Sequence, residues 1–374
     1  MVRNNVTLVL MVGGWRASPV GDVLRAAHQA AARDLLDDLL GTGLIGSAVV
    51  ATDDKEWGES LSCPLVEVDV DPPGKPFHFG QRLASIIERC GAQAVLYSGG
   101  GSAPLMNSEA WYPVLERLVA ADQLVITNNV HSCDWVGFVP AGHVLPLVAE
   151  QERDNAVAWA LSREVGLPLE SLAPSAAARF DLDTPLDLLI ARRHRATGSH
   201  LDRFLENLDW ASDRLDAVAS IMEREGGSLV IAGRVPSAAW VAVEQATQCW
   251  IRVFSEERGM RASGRQARGE VRSLIADYLR LVGVDGLFSE LATLADGVIL
   301  DNRVILAARG IWPSASDRYY ADLLRWDSVE EPFLRRMTWA AAQAAFPVVM
   351  GGHSVVSGGL LALVETIQGR EKAR

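Results

Sequence analysis

Four stretches in the first half of the chain combine residue types that could handle phosphate, metal or substrate. Gly13-Gly14-Trp15-Arg16-Ala17-Ser18 follows the apolar run Val6 to Val12. Glycines after a buried strand let backbone N–H groups approach phosphate oxygens, and Arg16 supplies a cation; Ser18 ends the segment. A tight turn without a ligand is the alternative. Ser98-Gly99-Gly100-Gly101-Ser102-Ala103-Pro104-Leu105 sets three glycines in a row after Ala94 to Tyr97. Such a run loses much conformational entropy on folding, so close backbone approach to a ligand is the sharper expectation and a flexible surface loop the bland one. In Asp181-Leu182-Asp183-Thr184-Pro185-Leu186-Asp187, helix capping accounts for Thr184, Pro185 and Asp187 but not for Asp183. Asp183 is therefore the candidate Mg²⁺ ligand, since that ion keeps most of its waters and takes one or two carboxylates. Thr127-Asn128-Asn129-Val130-His131-Ser132-Cys133-Asp134 crowds polar residues at a strand end; Asn128 and Asn129 are either substrate contacts or a polar turn.

The second half offers three more. Ser255 to Glu270 holds four arginines, Arg258 and Arg261 foremost, among glycines, a composition suited to phosphate or carboxylate recognition or to a solvated loop of ion pairs. Asp301-Asn302-Arg303 interrupts an apolar segment, which is costly unless the charges are paired or functional. Gly351-Gly352-His353-Ser354 follows an apolar strand and precedes a helix, so it could offer N–H groups to an anion and use His353 as an acid or base. Convergence of Arg258, Arg261, Asp301, Arg303 and His353 on one cleft would give this half its own site.

Strand and helix must alternate to place these loops. The pattern predicts strands at Val6 to Val12, Ser47 to Thr52, Ala94 to Tyr97, Gln123 to Asn128, Val136 to Phe138 and Phe180 to Leu182. Helices are expected from Gly21 to Leu40, Gly80 to Cys90, Glu152 to Glu164 and Pro185 to Arg195, with a loop rich in Pro and Asp after Thr52. That is the signature of a doubly wound α/β sheet. The second half alternates less regularly: strands at Ser228 to Ala232, Trp250 to Phe254 and Pro347 to Met350, a strand-rich segment over Gly297 to Ala308, and helices at Ala238 to Thr247, Glu270 to Val282, Pro332 to Ala345 and Val355 to Ile367. No repeat links the halves. The expected division is residues 1–196 and a second α/β domain at 201–374, because 374 residues exceed what one hydrophobic core usually serves.

Composition bounds the partners. Hydrophobic residues at 49% and charged residues at 22% describe a globular chain. A net charge of −12 argues against nucleic acid as the main partner, because phosphate neutralisation needs surplus Lys and Arg. The basic run Arg192-Arg193-His194-Arg195 reads as a helix C-terminus. Four cysteines without a CxxC pair suit reduced thiols, and the first apolar run is too short for a membrane span, so a cytoplasmic protein without membrane contact is expected. Trp312 and Trp326 would suit an interface in a homo-oligomer.

The strand ending in two glycines, the strand followed by a short motif and Pro-Leu, and the late Asp-Leu-Asp-Thr-Pro-Leu-Asp-Leu together resemble the MobA-like molybdenum-cofactor and phospholactate guanylyltransferase family, over roughly residues 5–195. The resemblance implies a Rossmann-like, GT-A-type fold for the first half. It also implies Mg²⁺-dependent transfer of a nucleotidyl group from a nucleoside triphosphate to a small phosphorylated acceptor. Gly13, Gly14, Arg16 and Ser18 would then hold phosphates, Gly99, Gly100, Gly101 and Ser102 would contact the nucleotide, and Asp183 would serve the metal. The chain departs from the family twice. Pro19, Val20 and Gly21 stand where an Arg-Met-Gly run and its Lys belong, and Gly99 to Ser102 replace the metal-binding Asp of the middle motif. A nucleotide- or metabolite-binding protein without transfer, or an enzyme whose active site lies in the second half, fits these departures.

Overall fold

The structure, a computed structural model, describes residues 5–14, 18–61, 63–72, 74, 76–261 and 263–372. It divides into two compact units. The first runs through Gly14, continues over Arg25–Ala178 and takes in Thr197–Leu201; the second gathers the described part of 15–24, then Arg179–Ala196 and the chain from Asp202 onward.

Seven strands build the first unit: β1 (Val6–Val12), β2 (Ile45–Thr52), β3 (Val66–Val70), β4 (Ala94–Gly99), β5 (Leu124–Thr127), β6 (Trp135–Val139) and β7 (Leu169–Ser171). Their order is β3-β2-β1-β4-β6-β5-β7. Only β6 runs antiparallel, against β4 and β5; the other pairings are parallel. This is a doubly wound, Rossmann-like α/β sheet. The unbroken apolar sequence of β1 follows from burial on both faces. Leu8 and Leu10 pack on one side with Leu35, Leu36 and Leu39 of helix Pro19–Gly41 and with Trp111 and Trp135. Val9 packs on the other with Phe79, Leu83 and Ile87 of helix Phe79–Cys90.

Two strands stand where none was expected. β3 lies in the loop rich in Pro and Asp: it is an edge strand whose Glu67 and Asp69 are paired by Arg82 and Arg89, so its acidic residues mask the strand pattern. β7 is a three-residue edge strand, and Phe180 to Leu182, the segment read as the last strand, joins neither sheet. Asp181 makes an isolated bridge, and Phe180 and Leu182 on either side of it are buried, which explains their apolar character.

The second unit holds a four-stranded parallel sheet of β8 (Ser228–Gly233), β9 (Trp250–Ser255), β10 (Gly297–Asp301) and β11 (Val348–Gly351), in the order β11-β10-β8-β9. Val230, Val298, Leu300, Val348 and Met350 line its core with Leu287, Phe288, Leu291, Leu334 and Met337. The segment Gly297 to Ala308 is strand only to Asp301; Arg303–Ala308 is helix, its β-branched residues buried all round. Helix Leu274–Leu294 outruns the expected one and breaks at Gly283, whose φ of 74° leaves the helical region. Among the described residues, no helix is long and apolar enough to cross a membrane.

Helix Pro185–His194 belongs to the second unit. Thr184 and Asp187 close a capping box at its start, with the Thr184 N–H donating to Asp187 Oδ2 at 2.7 Å. The basic run ends it as the sequence suggests. Arg192 donates to the carbonyls of Leu208 and Trp210, Arg193 pairs with Asp216 and Glu223, and Arg195 is the C-cap.

Candidate functional sites

In the first sheet the strand order reverses between β1 and β4, and open α/β sheets bind ligands at the carboxyl ends of strands flanking such a point. Gly13 and Gly14 leave β1 there, both exposed. Gly14 has φ 98°, and a Cβ built on it would meet nothing within 4 Å. Asp53, at the end of β2, lies against this turn: a Cβ on Gly13 would come within 3.0 Å of its Oδ1, and the Gly14 N–H points to its Oδ2 at 3.4 Å. Arg25, buried, bridges Asp53 and Asp54 at 3.0 Å each. Asp54 also accepts from the Trp57 N–H and from Gln29, and the Trp57 bond leads the causes that hold its carboxyl below the usual range. Arg16 lies outside the described residues. Ser18 accepts from the Gly21 N–H at 3.1 Å and belongs to the second unit.

The triple glycine is used differently from what its sequence suggests. Gly100 and Gly101 are buried, and none of Gly99, Gly100 and Gly101 has a positive φ. A Cβ on Gly100 would come within 3.0 Å of Val12, and one on Gly101 within 2.6 Å of His28. The loop approaches its own protein closely. Three of its amides are committed: Gly99 N–H donates to the Asp134 carbonyl, Gly100 N–H to the Met11 carbonyl and Ser102 N–H to the Gly99 carbonyl. The Ser102 hydroxyl donates to the Asp134 carbonyl at 2.9 Å. Asn128 is buried and exchanges two hydrogen bonds with Asp134, holding the β5–β6 connection together, while Asn129 Oδ1 accepts from the His131 N–H.

Asp53 and Asp54 are both spent on Arg25, and among the described residues no group of three His, Cys, Asp or Glu side chains could hold a metal. Asp183, the expected ligand, is exposed and belongs to the second unit. Cys133 is buried with its thiol pushed up to about 12 by that burial, an inert core group.

The second sheet reverses order between β8 and β10, and charged residues gather at its carboxyl edge. Asp301, fully buried at the end of β10, accepts Arg234 Nε at 2.5 Å and Arg234 Nη2 at 3.0 Å, together with the backbone N–H of Arg234 and of Arg303. Burial alone would raise its carboxyl, but Arg234 holds it below the usual range. Arg303, also buried, pairs with Asp322 at 2.7 Å and donates to Asn302 Oδ1. Burial lifts Asp322 to about 6 despite Arg303. His353, beyond β11, is pulled down to about 4 by burial, then by Arg234 and Arg258, against the attraction of Asp301; it is neutral at pH 7. Arg258 has its guanidinium lowered by desolvation and by Arg234. Arg261 and Arg318 lie 4.6 and 5.0 Å from the ring centroid of Trp312. The late Asp-Thr-Pro-Leu-Asp segment packs on the same edge: Cβ atoms on Gly351 and Gly352 would come within 3.1 Å of Leu186 and 3.2 Å of Thr184.

No family model matches the chain, and no curated protein does. Among solved structures, the chain is similar to a nucleotidyl transferase from Methanothermobacter thermautotroptrophicus, at 15% identity over 55% of this chain and 100% of that one, with a TM-score of 0.41. It is also similar to a cytidylyltransferase from Leptospira borgpetersenii, at 14% identity over 55% of this chain and 98% of that one, with a TM-score of 0.37. A third is 4-diphosphocytidyl-2C-methyl-D-erythritol synthase from Anaerococcus prevotii, at 10% identity over 50% of this chain and 96% of that one, with a TM-score of 0.38.

Of the residues singled out in the sequence, the second unit thus brings Arg258, Asp301, Arg303 and His353 into one electrostatic neighbourhood. The residue missed is Arg234, which joins them. Its signal was available: Gly233-Arg234 ends an apolar run much as Gly13 and Gly14 end β1. Arg25 was missed as well, since a lone arginine inside an amphipathic helix reads as surface.

Proposed function

We propose that the protein is nucleotidyltransferase-like. Its first unit binds a nucleoside triphosphate at the Gly13–Gly14 turn and transfers the nucleotidyl group to a small phosphorylated acceptor, like the MobA-like and phospholactate enzymes its motifs resemble. The observation that carries this reading is the turn itself. It leaves β1 beside the reversal of strand order and is exposed, with Gly14 at a positive φ and nothing among the described residues within 4 Å of a Cβ built on it, so a phosphate could approach its backbone N–H groups on the side away from Asp53. Arg16 would add charge. A second reading, binding without transfer, is favoured by the amides of Gly99, Gly100 and Ser102, which are already used inside the protein.

The test is a thermal-shift series with nucleoside triphosphates, each with and without Mg²⁺, followed by pyrophosphate release in the presence of phosphorylated acceptors. A ligand specific to the folded state adds about 2.7 kcal/mol at a hundredfold excess over its Kd. Gly14→Val is expected to abolish that shift, because the positive φ is strained for a β-branched residue although space is open. Binding with pyrophosphate release supports transfer; binding without release in every acceptor supports the second reading. Absence of a shift with any triphosphate overturns both.

A further inference from the structure

We infer that the second unit carries an anion site of its own at the carboxyl edge of its four-stranded sheet, where Arg258 and Arg234, beside His353, receive the phosphate group of a small phosphorylated molecule. The inference stands apart from nucleotide binding by the first unit and does not need it.

Position comes first. The chain passes from β8 to β9 on one side and then to β10 and β11 on the other, so the crevice between β8 and β10 is where a parallel sheet of this kind takes its ligand. Arg234, Asp301 and His353 all follow the ends of strands that meet there.

Charge comes second. Arg234 is matched by Asp301 and Arg303 by Asp322, each carboxylate buried. Arg258 is exposed on the loop after β9, which the Glu256 N–H ties to the Gly233 carbonyl at 2.7 Å; it has no hydrogen bond and no ion pair among the described residues, and its electrostatic neighbour is another cation, Arg234. Arg318 likewise makes no ion pair there; it donates to the Pro313 carbonyl and lies against Trp312, and its guanidinium is lowered first by desolvation and then by Arg303 and Arg261, against Tyr319 and Asp322. Like charges gathered in partly desolvated surroundings repel, and an anion relieves that repulsion.

The surplus also selects the anion. Arg258 has no carboxylate and Arg234 has one, and a phosphomonoester, with three terminal oxygens and close to two charges at neutral pH, can engage both guanidinia where a carboxylate offers two oxygens and one charge. Guanidinium forks match phosphate oxygens bidentately. His353, neutral beside them, adds no further repelling charge. Asn302, fully buried at the end of β10, has an Nδ2 with no acceptor among the described residues, an unspent donor in the same turn.

The experiment is calorimetric titration of the full chain with inorganic phosphate, phenyl phosphate and benzoate, at constant ionic strength set with sodium chloride. The expected result is saturable binding of one or both phosphates and binding of benzoate weaker by about tenfold or more. Inorganic phosphate alone would identify the ligand as the free ion, phenyl phosphate as an ester. Arg258→Ala is expected to lose about tenfold or more in phosphate affinity, with its melting temperature without ligand no lower, because the side chain makes no hydrogen bond and its removal relieves repulsion with Arg234. Gly14→Val is expected to keep phosphate binding while losing the triphosphate shift, which separates this site from the first unit. No saturable binding of either phosphate, equal binding of benzoate, or phosphate binding that survives Arg258→Ala would each overturn the assignment.

Discussion

Asp187 should make the stability of the protein fall as pH rises from about 4 to about 7. Its carboxyl is fully buried, with Oδ2 accepting from the Thr184 N–H at 2.7 Å and the Thr184 hydroxyl at 2.9 Å. Oδ1 makes no hydrogen bond that meets ordinary geometry and lies toward the Ser354 hydroxyl. Burial is the main cause raising this carboxyl from 3.8 to about 7; Asp183 adds to it, and Ser354 and Thr184 oppose it. Between those two values the folded state holds a proton that the unfolded chain has released. Stability is therefore full below the unfolded value and is lost as pH climbs through the folded one, at about 1.4 kcal/mol per unit, or roughly 4 kcal/mol in all. Asp187→Asn removes the titration while keeping the geometry: its Oδ1 can accept both Thr184 donors and its Nδ2 can donate to Ser354. In urea denaturation across this range, the variant should gain on the natural protein by roughly 4 kcal/mol as pH rises. His353, lowered to about 4, acts in the opposite sense, losing its contribution as pH falls below its unfolded value, while Asp322, raised to about 6, acts in the same sense as Asp187. Both are present in both proteins and cancel in the difference. A difference that stays flat across the range refutes a protonated, buried Asp187.

Two further outcomes test the account of the loops and of the charged edge. Gly101→Ala brings a Cβ to 2.6 Å from His28 Nε2 and should cost about 1–3 kcal/mol of stability, read by denaturation; a neutral effect would mean that the glycine run is not there for packing. Asp301→Ala strands the guanidinium of Arg234 and the backbone N–H of Arg303, and should cost about 3–5 kcal/mol in the same assay. A cost near zero would show that Asp301 is not the counter-charge of this edge.

Much of the first sheet was legible because its central strands are buried on both faces and so read as unbroken apolar runs: β1, β2 and β4 stand where the pattern placed them, within a few residues. The edges were not. Val66–Val70 alternates with acidic residues that Arg82 and Arg89 neutralise, and partners 13 to 22 residues away are invisible to a local pattern. Helix Arg303–Ala308 is spelled Arg-Val-Ile-Leu-Ala-Ala, a composition that favours strand; burial on all sides, a tertiary fact, decides for helix. The late Asp-Thr-Pro motif sits in sequence with the first half but folds with the second, because Gly351, Gly352 and Gly358 leave room for Thr184, Leu186 and the Arg179 carbonyl. Sequence order could not show that.

The two sheets spend their polar groups in opposite ways, and that difference bears on where ligands bind. A donor already used within the protein stabilises the loop it holds but has nothing left for a phosphate, so a glycine motif marks a site only where its amides are unspent. At the end of β4 the amides of Gly99, Gly100 and Ser102 are spent, on Asp134, Met11 and Gly99, and the missing side chains make room for Val12 and His28. At the end of β1 the turn stays open, with only one long contact from Gly14 to Asp53. At the edge of the second sheet each buried carboxylate is matched by one guanidinium, and Arg258 is left over. An excess cation kept beside another cation raises the free energy of the unliganded protein, and bound phosphate would lower it. The unspent groups, Gly13–Gly14 in one unit and Arg258 in the other, are therefore the positions at which substitutions should change binding without changing the fold.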